Sequence, residues 1–183
     1  FPGKPMPAWF REILDEGTAA EDMIDAAWTE KSGVPTIGSQ DELELEVGES
    51  DGKTVIIRAH IDGRTDGNRL REYKKFRDST WPNFLRQGVE VNVNYPWQVS
   101  VMMLAGDFDE CEFVGGHLQH DDWGVPSIVE VECKLLTAPP FNLRAIRKRV
   151  MGIEKLINEG TMPSEVAGPE KLMYPCPFVD MHD

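Results

Sequence analysis

The sequence lacks any long apolar run. Its longest, such as Val101–Ala105, are a few residues each, far short of the roughly 20 that a membrane-spanning helix requires. Cysteine is also scarce. There are three in 183 residues, an odd number that cannot all pair within one chain. Small buried thiols in a reducing compartment are expected instead. Positive charge is in deficit, with 19 Lys and Arg against 32 Asp and Glu and a formal net charge of −13. So acidic a chain argues against nucleic acid as the main partner, because phosphate binding needs a basic surface or patch.

The common catalytic signatures are missing too. No G-x-G-x-x-G follows a strand, and there is neither a G-x-S-x-G elbow nor an H-E-x-x-H pair. Gly52-Lys53-Thr54 contains a G-K-T fragment. It lacks the upstream glycine of a phosphate loop and suits a hairpin turn instead.

What is present describes an ordinary globular chain. Hydrophobic residues make up 40% and charged residues 28%, enough for one domain with a real core. Charge is unevenly spread. Residues 1–52 hold 3 basic and 13 acidic side chains, residues 64–86 hold 7 and 3, and residues 141–160 hold 5 and 2. The two basic segments read as helices, with either solvated faces or contact surfaces for an acidic partner.

In chain order, Phe1–Pro7 reads as an extended arm because its prolines forbid helix and ladder pairing. A short helix is expected over Ala8–Glu16, stopped by Gly17. A second is expected from the capping-box pattern Thr18–Glu21 to about Lys31. Asp41–Val47 alternates strictly and pairs with Lys53–Ile61 through an Asp51-Gly52 turn. A helix is expected from Asn68 to Arg77 and another over Pro82–Gln87. Strands are expected at Val89–Tyr95, Val99–Ala105, Cys111–Val114 and Ile128–Leu136, with a polar loop over Gly115–Gly124. An amphipathic helix closes the run at about Phe141–Glu159.

This order implies an α+β domain over residues 8–160, built on a curved antiparallel sheet of about five or six strands packed against helices. In topology it resembles a cone-shaped, NTF2-like sheet. Residues 1–7 and 161–183 would be extended arms. The C-terminal one carries apolar residues without periodicity and a cysteine, Cys176, that could stay free.

Two functional expectations follow. The first is a non-catalytic accessory subunit of a larger multi-protein complex, docking through its basic helices and through Phe1, Pro2, Pro5, Met173, Tyr174, Phe178 and Met181. A leading Phe1-Pro2 resembles the start of some plastid-targeting segments, which suggests an organellar setting. The second is a small enzyme or ligand-binding protein. Its divalent-metal or proton-transfer site would use His117, His120 and Asp122, since imidazole and carboxylate are suitable ligands. His60 and Asp62, at a strand end, could join that cluster.

Overall fold

The computed structural model describes residues 8–160, with side chains described from Glu16 onward except that of residue 157. The expected arms, with all seven of their proposed contact residues, lie outside the described residues. The fold is α+β, as expected, and its elements are α1 (Ala8–Ser32), β1 (Glu42–Ser50), β2 (Lys53–His60), β3 (Gly63–Arg64), β4 (Arg69–Phe76), α2 (Trp81–Gln87), α3 (Tyr95–Ala105), β5 (Glu110–His120), β6 (Pro126–Leu136) and α4 (Leu143–Asn158). No described helix is long and apolar enough to cross a membrane.

The described residues divide into two compact units, residues 8–45 with 58–142 and residues 46–57 with 143–160. The first holds a four-stranded sheet in the order β3-β4-β5-β6. β4 and β5 are parallel, whereas the outer pairs are antiparallel. The parallel pair is joined through α2 and α3, as a parallel connection requires. β1 and β2 form a separate two-stranded ribbon. Neither sheet is closed, so the resemblance to an NTF2-like cone finds no support here.

Helices cover both faces of the four-stranded sheet. Leu70, Cys111 and Phe113 pack with Phe84 of α2 and with Val99, Met102 and Met103 of α3. On the opposite face, Tyr73, Val114 and Val131 pack with Ile24 of α1. Two neighbouring glycines in β5 permit this double covering. A Cβ on Gly115 would fall 2.2 Å from the Phe84 ring, and one on Gly116 would fall 2.3 Å from Ile24. A glycine within a strand often marks such close approach. In the second unit, Met151 lies over Gly48, Val47 and Ile146 are buried, and Asn158 donates to Ser50 at 3.0 Å.

Several local expectations are corrected. Gly17 does not divide the first helix; α1 is continuous. Nothing lies within 4 Å of a Cβ there, and a lone glycine costs a helix only about 1 kcal/mol. Val99–Ala105 is helix α3, not a strand. It is apolar all round, so periodicity alone cannot separate a buried helix from a buried strand. Pro96 in its first turn was the available sign. Val89–Tyr95 is not a strand either: Gly88–Val91 forms a 3-10 turn, and α3 begins at Tyr95. The strand Cys111–Val114 runs on to His120 and absorbs most of the expected polar loop.

The most consequential correction concerns Asn68–Arg77. This basic segment is the central strand β4, not a helix. Its Leu, Arg, Glu and Lys are good helix formers, but the surrounding sheet overrides that preference. Leu70, Arg71, Glu72 and Tyr73 are all buried, so β4 carries charged groups inside the protein on both of its faces.

Candidate active site

β4 alternates, and each face presents a different polar group. Glu72 and Lys74 point the same way as Leu70 and Phe76, toward α2 and α3. Arg71 and Tyr73 point toward α1.

On the first face, Glu72 is fully buried and its Oε1 accepts a hydrogen bond from Lys74 Nζ. Its Oε2 is buried without a hydrogen-bond partner. Leaving a buried carboxylate oxygen unpaired is costly. Burial pushes the Glu72 carboxyl up to about 8; Lys74 opposes the rise, and the charges of Asp62 and Glu21 add to it. Burial would lower the Lys74 ammonium, but Glu72 and Asp62 outweigh it and hold the group above its ordinary value. Lys74 Nζ also sits 5.7 Å from the centre of the Tyr95 ring.

Asp62 follows β2 and immediately precedes β3. Its Oδ2 accepts the backbone N–H of Tyr73 at 2.8 Å, which ties the aspartate to the peptide between Glu72 and Tyr73. Glu21 comes from α1. Its carboxyl is raised by burial and then by Asp62, and Lys74 pulls the other way. Three carboxylates and one lysine, drawn from α1, the β2–β3 junction and β4, thus sense one another.

The second face is a braced polar layer. Glu112 Oε2 accepts from Trp28 Nε1 at 2.9 Å and from Arg71 Nε at 2.8 Å, while its Oε1 accepts from Arg69 at 2.8 Å. Burial would raise the Glu112 carboxyl, but these donors outweigh it and hold it below the usual range. Arg71 also donates to Thr36 Oγ1 at 2.7 Å and to the Val34 carbonyl at 3.0 Å. Tyr73 donates to Asp25 Oδ1 at 2.6 Å. These bonds fix the strand that carries Glu72 and Lys74.

The residues expected from sequence are placed as follows. His117 lies in β5, stacked on Trp81 at 5.2 Å, with its Nε2 2.7 Å from Asp78 Oδ1. His120 ends β5 and is exposed, as is Asp122 in the following turn. His60 is exposed and lies 3.5 Å from Glu42. Among the described residues, no group of three or more His, Cys, Asp or Glu is arranged to hold a metal ion. Asp62 does join a cluster, but with Glu72, Lys74 and Glu21. Those three were missed because Glu21 fits a capping box and the β4 pair fits the polar face of a helix. One signal was available: with Asn68–Phe76 read as a strand, its charges fall on both faces of a segment between buried elements.

No protein-family model and no curated protein matches the chain in sequence. Solved structures do match in fold. An alkaline exonuclease from Laribacter hongkongensis superimposes with a TM-score of 0.53 at 16% identity, over 78% of this chain and 65% of that one. The chain therefore spans about two thirds of that exonuclease's length, just short of the full fraction. The structure of SSO0001 superimposes with a TM-score of 0.55 at 12% identity, over 90% of this chain and 73% of that one. A complex of the Laribacter exonuclease with dAMP gives a TM-score of 0.48 at 19% identity, over 78% of this chain and 71% of that one. At these identities the likeness is one of fold.

The accessory-subunit expectation is corrected by these findings. A solved exonuclease has this fold, and the central strand buries an acid–lysine pair with an unpaired oxygen. The expectation of a non-enzyme falls with it, as does the plastid assembly the subunit was to join.

Proposed function

We propose that this chain is a phosphodiesterase acting on nucleic acid, a nuclease that works with a divalent cation at Asp62 and Glu72. The observation that carries this reading is the buried Glu72–Lys74 pair on β4, with Asp62 bonded to the intervening peptide. The fold it shares with an alkaline exonuclease supports it.

The donor set fits a hard cation. Glu72 Oε2 is buried and unpartnered, and Asp62 and Glu21 add negative charge around it. Magnesium sites commonly use only one or two carboxylates and leave other positions to water and substrate phosphate. A cluster of three protein ligands is therefore not required. Held by Asp62 and Glu72, such a cation would neutralise phosphate charge and make a water more acidic.

Hydrolysis forms one P–O bond from water and breaks one P–O bond to a sugar oxygen. Negative charge grows on the phosphoryl oxygens meanwhile. Lys74, held charged by Glu72 and Asp62, places an ammonium in a largely dry setting where it stabilises that charge far better than in water. Glu72 orients the ammonium through its hydrogen bond. Asp62 fixes the strand peptide between them. The Asp25–Tyr73 and Glu112–Arg71 bonds hold the opposite face of β4 still.

The test is release of acid-soluble nucleotide from linear duplex DNA by the purified chain, with Mg²⁺ and with EDTA. Mg²⁺-dependent release, lost in Lys74→Met, is expected. Release that survives both EDTA and Lys74→Met would refute the reading, and so would no release under any condition.

A further inference from the structure

An ammonium on a flexible four-carbon stem needs more than one contact to be aimed at a reacting phosphate. Glu72 supplies one contact to Lys74. Tyr95, the first residue of α3, supplies another: the centre of its ring lies 5.7 Å from Lys74 Nζ. Resting on the nuclease reading, we propose that Tyr95 is a positioning residue whose ring face holds the Lys74 ammonium aimed at the scissile phosphodiester.

Both groups belong to the face of β4 that looks toward α2 and α3. Lys74 shares that face with Glu72, two residues before it, and its side chain is mostly buried. Phe113 of β5 is fully buried in the same cluster, and Tyr95 packs against that cluster. The Tyr95 and Phe113 rings are 5.6 Å apart at 50°, within the range of a favourable tilted pair. The Tyr95 backbone N–H donates to the Asn92 carbonyl at 3.1 Å. Pro96 follows with its fixed φ in the first turn of α3. The ring is therefore held by its backbone and by Phe113 without help from a substrate.

An aromatic face attracts a cation within about 6 Å through its quadrupole, and the attraction strengthens as water is excluded. It requires no charge on the phenol. Glu72 has two tasks in the proposed site, because it pairs with Lys74 and is also a ligand for the divalent cation. The ring face offers no oxygen to a hard cation, so its hold on Lys74 is independent of that second task. An ammonium carries three N–H donors. With one given to Glu72 and the ring along another side, a donor is left to meet a phosphoryl oxygen, where charge grows during hydrolysis. Tyr95 acts through Lys74 and touches no reacting atom itself.

The experiment measures kcat and KM for Mg²⁺-dependent cleavage of linear duplex DNA by the full chain. The variants are Tyr95→Phe, Tyr95→Leu and a series with singly, doubly and triply fluorinated phenylalanine in place of Tyr95. Tyr95→Phe keeps the ring face and should keep the wild-type kcat. Tyr95→Leu should lose roughly three- to thirtyfold in kcat with little change in KM. Fluorine withdraws electron density from the face while nearly preserving the ring's shape, so kcat should fall stepwise along the fluorinated series. A kcat that ignores fluorination would overturn the proposal. So would Tyr95→Phe as slow as Tyr95→Leu, or a loss confined to KM. A second readout needs no activity: in EDTA, nuclear Overhauser contacts should join the Lys74 Hε protons to the ring protons of residue 95 in wild type and in Tyr95→Phe. Those contacts in a chain that cleaves nothing would support the Lys74–Tyr95 pairing while refuting the nuclease reading. Cleavage without those contacts, and with no response to fluorination, would do the reverse.

Discussion

Replacing Glu72 by glutamine should make the cation-free protein less sensitive to rising pH, although it removes a group the site needs. Glu72 is fully buried and its carboxyl is pushed up to about 8, against an ordinary value of 4.5. In that range the folded state holds a proton that the unfolded chain has released. The stabilising contribution is therefore fully present below about 4.5 and is lost as pH rises through about 8. Each pH unit in the window costs about 1.4 kcal/mol. From pH 5 to pH 8 the loss is about 4 kcal/mol, a large part of the roughly 5–15 kcal/mol that holds a typical domain folded. Glutamine has nearly the same shape and cannot ionise. Urea unfolding in EDTA at the two pH values gives the difference for each protein. Wild type should lose about 4 kcal/mol more than Glu72→Gln between pH 5 and pH 8. Parallel losses would refute the claim that Glu72 is held in a dry, like-charged setting.

Other expectations follow from the same structure. Mg²⁺ at about 100 times its dissociation constant should stabilise wild type at pH 8 by about 2.7 kcal/mol, read by thermal melting, and should leave the double variant Asp62→Asn/Glu72→Gln unmoved. Gly115→Ala places a methyl 2.2 Å from the Phe84 ring and should destabilise by about 1–3 kcal/mol. Gly17→Ala meets nothing within 4 Å inside α1 and should stabilise by about 0.5–1 kcal/mol; one melting series compares the two. Arg71→Met removes one of the three donors to the buried Glu112 carboxylate and should cost about 1–3 kcal/mol. Arg71→Met/Glu112→Leu should recover much of that loss in the same urea titration.

Much of the fold is legible in the sequence where local pattern and tertiary setting agree. The β1–β2 ribbon is visible from strict alternation and its Asp51-Gly52 turn, whose two residues both have positive φ (51° and 71°). Helix α2 is visible from Pro82 and Gly88, and α4 from its stripe. β4 is the opposite case. Arg69-Leu70-Arg71-Glu72-Tyr73-Lys74 has the composition of a helix surface, and only burial on both sides makes it a strand. Burial is a property of the assembled fold and leaves no period in the sequence. The same blindness hid the site. In sequence, Asp62 is simply a strand-end carboxylate, Glu72 and Lys74 fit a solvated helix face, and Glu21 fits a cap. The histidines carry the more visible sequence signal, because imidazole is a common metal ligand. In the fold, His117 instead stacks on Trp81 and bonds to Asp78.

The nuclease account rests on the β4 acid–lysine pair acting on phosphodiesters. The most direct measurement is the single-turnover rate of Mg²⁺-dependent cleavage of end-labelled duplex DNA by wild type, Asp62→Asn, Glu72→Gln and Lys74→Met, each first shown to be folded. The account predicts measurable cleavage by wild type and losses of roughly 10²–10⁴-fold in each variant. Wild-type rates in Glu72→Gln and Lys74→Met, or a folded wild-type chain that leaves the DNA intact, would contradict it.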